Sequence, residues 1–197
     1  MPTYVNHFRK KHVKGGAIVN PIGHFRTITR HRHLVMGYCF RLGLYRQGLC
    51  HDLSKYSPVE FLRGCKYYQG YRSPNDAERR DKGYSAAWLH HKGRNKHHYE
   101  YWIDYSVRDI EGGMAPAPMP VKYIAEMLMD RIAACKVYNG ENYTDAAPWE
   151  YYSLGREKAP IHPKTKELLE RLLCMLANEG ENKTFAYIRR EILNNKK

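Results

Sequence analysis

The side chains of this chain best suited to chemistry are histidines and aspartates. His51 and Asp52 are adjacent, His33 lies one helix earlier, the pairs His90-His91 and His97-His98 follow, and Asp130 stands in a later apolar helix. Imidazole and carboxylate suit borderline and hard divalent ions such as Fe, Mn, Co, Ni or Zn, and the lack of a thiolate cluster disfavours structural zinc. Two adjacent residues ligate together only where the backbone turns both side chains toward one point. Asp130 sits among Ile124, Met127, Leu128, Ile132 and Ala134, where an unpaired carboxylate is costly and a metal ion is one partner that removes the cost. The competing reading is a surface carboxylate or an ion pair with Arg131.

The choice within each histidine pair is open. His31 is the alternative to His33. His91 and His98 are seven residues apart, two helical turns, which separates them by about 10 Å along a continuous helix. Convergence on a metal cluster then needs side-chain reach or a helix break at Gly93. His91 and His98 are favoured because Asn95 lies between them at intervals of four and three, making a polar stripe that reaches metal-bound water or phosphate. His90 and His97 share the other face.

Lys55, Lys92, Arg94 and Arg131 neighbour these ligands in sequence and suit non-bridging phosphate oxygens. Lys55, Arg94 and Asn95 are the candidate catalytic side chains beside the metal. The wider charge agrees: 33 Lys and Arg against 20 Asp and Glu give a formal net charge of +13, a field that favours anionic partners without distinguishing nucleotide, nucleic acid or membrane phosphate. Five cysteines without close pairs argue against a zinc ribbon or disulfide scaffold. With neither a signal peptide nor a membrane-spanning apolar run, a soluble cytoplasmic protein is expected.

The elements that must position these groups read as helices. Residues 1–23 form a basic arm with breaks at Gly15-Gly16 and Asn20-Pro21. Residues 24–140 form the core. In it a helix from about Thr29 to Leu49 carries His33, Gly37, Phe40 and Leu44, and Ser57-Pro58-Val59-Glu60 starts the next one just after His51 and Asp52. Residues 64–83 form a long loop or lid, with a short helix at Asp76 to Lys82. A helical run covers Ala86 to about Asp104, the Pro-rich stretch from Met114 to Pro120 is extended, and Val121 to Val137 is helical up to Asn139-Gly140. Residues 141–197 supply C-terminal helices packed on the same domain, with a break near Asn178 to Gly180. No strand shows convincing alternation, so the fold class is all-α.

The stretch Cys50-His51-Asp52-Leu53-Ser54-Lys55 resembles the central signature of the HD-domain superfamily of metal-dependent phosphohydrolases. The resemblance implies an HD-domain-like helical bundle and a metal site on His33, His51, Asp52 and Asp130. Two-metal members of that superfamily add histidines between the His-Asp pair and the last aspartate, as His91 and His98 do here. The block from Trp88 to His98, followed by Tyr101-Trp102, is similar to a small family of bacterial and phage-associated proteins. The expected activity is hydrolysis of a nucleotide or other small phosphate ester by metal-activated water, with one or two metal ions. The alternatives are an iron-dependent oxygenase of HD-like fold and a non-catalytic, basic nucleic-acid-binding protein. The tyrosines of Lys66-Tyr67-Tyr68-Gln69-Gly70-Tyr71-Arg72 serve the last reading by stacking bases, or the first as a substrate lid.

Overall fold

The computed structural model describes residues 19–194, and of the basic arm read for 1–23 only 19–23 fall within it. Helix α1 (Pro21–Arg41) begins earlier than the sequence reading placed it. Asn20 and Pro21 are its start, not a break. The Asn20 side chain accepts a hydrogen bond from the Gly23 amide at 2.8 Å, and Pro21 occupies the first helical position, where a missing N–H costs nothing. The helix also stops earlier, because Gly43 takes a positive φ of 77° and turns the chain into α2 (Tyr45–Cys50). One expected helix is therefore two.

A 3₁₀ turn (Leu53–Tyr56) leads into α3 (Pro58–Tyr67), which starts at the Ser57-Pro58 signal. The Ser57 hydroxyl makes no capping bond, while its carbonyl accepts from Phe61 at 2.8 Å. The expected 64–83 loop is mostly helix: α3 runs to Tyr67 and α4 occupies Pro74–Lys82, leaving 68–73 as the connection. Tyr67 and Tyr68 are pinned, since the Tyr67 hydroxyl donates to Asp81 at 2.6 Å and Tyr68 shares a 2.7 Å hydrogen bond with Thr27. Helix α5 (Ala86–Lys92) ends at Gly93, far short of Asp104. Beyond it come a 3₁₀ turn (Tyr99–Trp102) and a small antiparallel hairpin, β1 (Ile103–Tyr105) paired with β2 (Met114–Pro116) with Asp104 opposite Ala115. Strands this short carry no readable alternation.

Helix α6 (Val121–Asn139) is central. It is buried nearly all round from Ile124 to Met129, as a helix sandwiched between others must be, with α1 on one side and α8 (Pro163–Tyr187) on another. Val35 of α1 and Leu42 just after it, Leu128 and Ile132 of α6, and Leu169, Leu172 and Leu176 of α8 share one core with Phe185 and Ile188. Helix α7 (Ala147–Ser153) packs on α6 and α8. The break expected near Gly180 is present, with φ 80° and ψ 173° there, and a π-helical turn (Ile188–Leu193) follows α8. The domain is predominantly helical, and no helix among the described residues is long and apolar enough to cross a membrane.

Candidate metal centre

Asp52 follows α2 with φ 53° and ψ 22°, alone among the described non-glycine residues in having positive φ. Aspartate tolerates this left-handed conformation better than most residues. It is the turn that lets His51 and Asp52 face one point. Arg32 braces it from α1, donating from Nη2 to the Leu49 carbonyl at 2.6 Å and from Nε to that of His51 at 3.2 Å.

Two groups of donors meet at Asp52. In the first, His31 Nε2 lies 3.0 Å from Asp130 Oδ1, 3.5 Å from Asp52 Oδ2 and 3.4 Å from His51 Nε2. His51 Nε2 is 3.4 Å from Asp52 Oδ2 and 3.5 Å from Asp130 Oδ1. In the second, Asp52 Oδ1 lies 3.2 Å from His91 Nε2 and 3.5 Å from His97 Nε2, and His91 Nε2 is 2.9 Å from His98 Nε2. Ligands about 2.1 Å from a common ion stand about 3.0 Å apart at octahedral angles and about 3.4 Å at tetrahedral ones. Both groups have that spacing. Neither oxygen of Asp52 nor Nε2 of His97 completes a hydrogen bond, although Lys55 Nζ lies 2.6 Å from Asp52 Oδ2. The donor set therefore fits a divalent metal ion, and the two oxygens of Asp52 face one donor group each.

A second layer of carboxylates orients the imidazoles. Glu126 Oε1 accepts from Nδ1 of His51 at 2.9 Å and from Nδ1 of His97 at 3.2 Å, so both rings turn Nε2 inward. Glu60 does the same for His91, accepting from Nδ1 at 2.8 Å, while its other oxygen takes Nδ1 of His90 at 2.7 Å.

The electrostatics follow from burial among opposite charges. Burial alone disfavours the His51 cation, but Asp52, Asp130 and Glu126 outweigh it and raise the pKa to about 10. Burial likewise opposes ionisation of Asp52, and His51, Lys55 and His91 overcome it, holding the carboxyl well below its ordinary range. Asp130 is held well below by His31 and His51 against the same penalty. His98 moves the other way, pushed well down by burial and then by His97 and His91. Where metal replaces protons on such ligands, binding releases protons.

The residues singled out from sequence are not all brought together. His51, Asp52, His91, His98 and Asp130 converge; His33 does not. It is exposed on α1, and His31, the alternative, is buried in the cluster. His91 and His98 meet because the helix breaks at Gly93, and that break also frees His97 from the face of His90, so His97 enters the centre while His90 stays with Glu60. Asn95 is buried but turned toward protein: its Nδ2 donates to Ser54 Oγ and to the His91 carbonyl, each at 2.8 Å, clamping the turn that carries His91. Arg94 is exposed and donates to the His90 carbonyl at 3.2 Å, away from the centre. Lys55 is at the centre. Sequence reasoning missed Glu126 and Glu60 and left His97 as the other member of an open pair; Glu126 carried the same signal as Asp130, an acid inside an apolar helix one turn away.

Fold and site together define a predominantly helical domain whose clustered histidines and aspartates form a potential metal centre. Residues 20–175 match the family described as "Family of unknown function (DUF5662)", and the chain belongs to it. Neither a curated protein nor a solved structure shows significant similarity to it.

Proposed function

We propose that this protein is a two-metal phosphohydrolase of HD-domain type, acting on a nucleotide or other small phosphate ester. The observation that carries the reading is Asp52, whose two oxygens face separate donor groups: His31, His51 and Asp130 on one side, His91, His97 and His98 on the other. In chain order these ligands resemble the two-metal pattern of that superfamily. Divalent ions held by these residues would supply a nucleophile from water near neutral pH and would offset charge on a phosphoryl group.

The protein's own residues set the direction of approach. His51, Asp52, His91 and His97 are at most 2% exposed in their side chains, while Asp130 keeps 18% and Lys55 26%, so substrate enters on the Lys55 and Asp130 side. Lys55 is held as a cation: burial opposes its charge, and Asp52 and Asp130 restore it. It binds a phosphate oxygen there. Tyr138 continues the Asp130 stripe of α6 two turns on, at spacings of four, and offers an aromatic face for a base. Glu126 and Glu60 hold the imidazoles in one tautomer.

The test is a panel of nucleotides and generic phosphoesters offered to protein loaded with Mn, Fe, Co, Ni or Zn, read by phosphate release and chromatography. Asp52→Asn is run beside it, since asparagine keeps the left-handed backbone and loses the charge. Turnover in the native protein and its loss in the variant, with helical signal retained, supports the reading. Metal binding without turnover on any substrate refutes hydrolysis, and dioxygen uptake by the iron form would replace it with oxygen chemistry.

A further inference from the structure

Asp52 is the first carboxylate in the chain, and residues 1–51 contain no Asp or Glu. Within the described part of that stretch, the basic side chains other than histidine are all arginine: Arg26, Arg30, Arg32, Arg41 and Arg46. Helix α1 buries His24, Ile28, His31, Val35 and Tyr38, which leaves Arg26, Arg30 and His33 exposed along one stripe at spacings of four and three. Arg46 of α2 is exposed as well.

These arginines differ in how they are used. Arg32 holds backbone carbonyls at 2.6 and 3.2 Å, and Arg41 donates to Asn182 at 2.8 Å, lies 3.9 Å from a Glu181 oxygen and covers the Phe185 ring. Arg26, Arg30 and Arg46 have no ion pair, hydrogen bond or ring partner among the described residues. Two aromatic rings stand partly in solvent, Phe25 at 48% exposure with an edge contact to Tyr56 near the start of α1, and Tyr45 at 63% with an edge contact to Phe40 near its end. Unpaired guanidinium groups and half-exposed rings on helices that carry no acids of their own suit a polyanion that also carries flat apolar groups.

We infer that the exposed face of α1, with Arg46 and Tyr45 of α2, docks single-stranded nucleic acid. Arg26 and Arg30 are four residues apart, about 6 Å along the helix axis, a separation comparable with that of successive phosphates in a strand. The guanidinium fork matches phosphate oxygens in pairs and stacks on bases, which a lysine surface would not do. Phe25 and Tyr45 supply the stacking platforms, and every base has a face to offer them, so the surface is indifferent to sequence. A lipid surface would be drawn by the same charge, and binding to anionic vesicles is the comparison that separates it from a strand. The inference stands apart from hydrolysis at the metal centre and does not need it.

The test is fluorescence anisotropy of a labelled single-stranded oligonucleotide with the full chain over a series of salt concentrations. Arg26→Glu with Arg30→Glu is compared with Lys158→Glu and Lys164→Glu, two exposed lysines outside α1 and α2, so that both variants change net charge equally. The α1 variant is expected to weaken binding at least about tenfold and to flatten the salt slope by about 1.4, the share of two phosphates on a single strand, while the lysine variant stays within about threefold of native. Arg26→Gln with Arg30→Gln should move the same way with less effect, and helical signal and thermal midpoint confirm that each variant folds. Equal losses in the two charge-reversal variants, no binding by the native chain at low salt, or tighter binding to anionic vesicles than to the oligonucleotide would each overturn the inference.

Discussion

Glu126 offers the sharpest test of how the metal centre is built, because one carboxylate oxygen serves an imidazole in each donor group. It accepts from His51 at 2.9 Å and His97 at 3.2 Å, and is buried. Glu126→Gln keeps the shape and one acceptor oxygen but removes the charge. A hydrogen bond to a charged acceptor is worth about 1.5–3 kcal/mol against about 0.5–1.5 for a neutral one, so each imidazole loses roughly 1 kcal/mol of orientation and basicity. Loss of such an outer carboxylate costs about 10–100-fold in metal affinity. The expectation is that both metal equivalents weaken together. Glu60→Gln, which touches only His91 among the ligands, should weaken one. Titration with chelator-buffered Zn or Mn, with bound metal measured by elemental analysis, separates the two patterns. If Glu126→Gln retains both equivalents at native affinity, or if Glu60→Gln weakens both alike, the shared-carboxylate reasoning fails.

Other expectations follow from single positions. His31→Ala should remove at least one metal equivalent while His33→Ala leaves metal content unchanged; the reverse result would put the wrong histidine in the cluster. His24 is buried with an unpartnered Nδ1, and burial, with help from Lys55, lowers its pKa to about 4. The unfolded chain therefore takes up this proton first, so stability falls as pH drops from about 6.5 toward 4, by about 2 kcal/mol at pH 5 as an upper bound. Denaturant titrations of the native chain and His24→Leu, taken as a difference so that the metal ligands cancel, should show that dependence only with histidine present; a flat difference would contradict it. Gly64 packs against the His24 ring so closely that a Cβ would overlap it, and Gly64→Ala should destabilise by about 1–3 kcal/mol despite better helix propensity. His24→Ala in the same chain should recover most of the loss, and simple additivity of the two changes would argue against the contact.

The helical class and the His51-Asp52 pair were legible because they depend on local pattern. His31 was lost through phase. A helix started at Thr29 aligns His33 with Gly37 and Phe40, whereas one started at the Asn20-Pro21 cap has the buried stripe His24, Ile28, His31, Val35, Tyr38 and so puts His31 inside. The cap held the information and was read as a break. His97 ranked behind His98 because, on a helix running through Gly93, two histidines seven apart share a side and their neighbours the opposite one; a break at Gly93 removes that division. What ended the helix was tertiary: Asn95 takes the His91 carbonyl and Ser54 together, a contact across 41 residues that no window on the sequence contains. Glu60 read as an ordinary first-turn acid because its partners, His90 and His91, come from a helix packed beside it.

The ligands come from α1, the turn after α2, α5, the segment that follows it, and α6, with His31 and Asp130 at the two ends. An ion held by both ends would act as a cross-link. It closes a loop of about 100 residues, and a covalent bridge of that span removes about 4.7 kcal/mol of disorder from the unfolded chain. Metal would then serve this protein as a fastener as much as a reagent. Stripping it should open the turn between Gly93 and His98 to proteases first, because that short non-helical segment sets two of its side chains, His97 and His98, in the cluster.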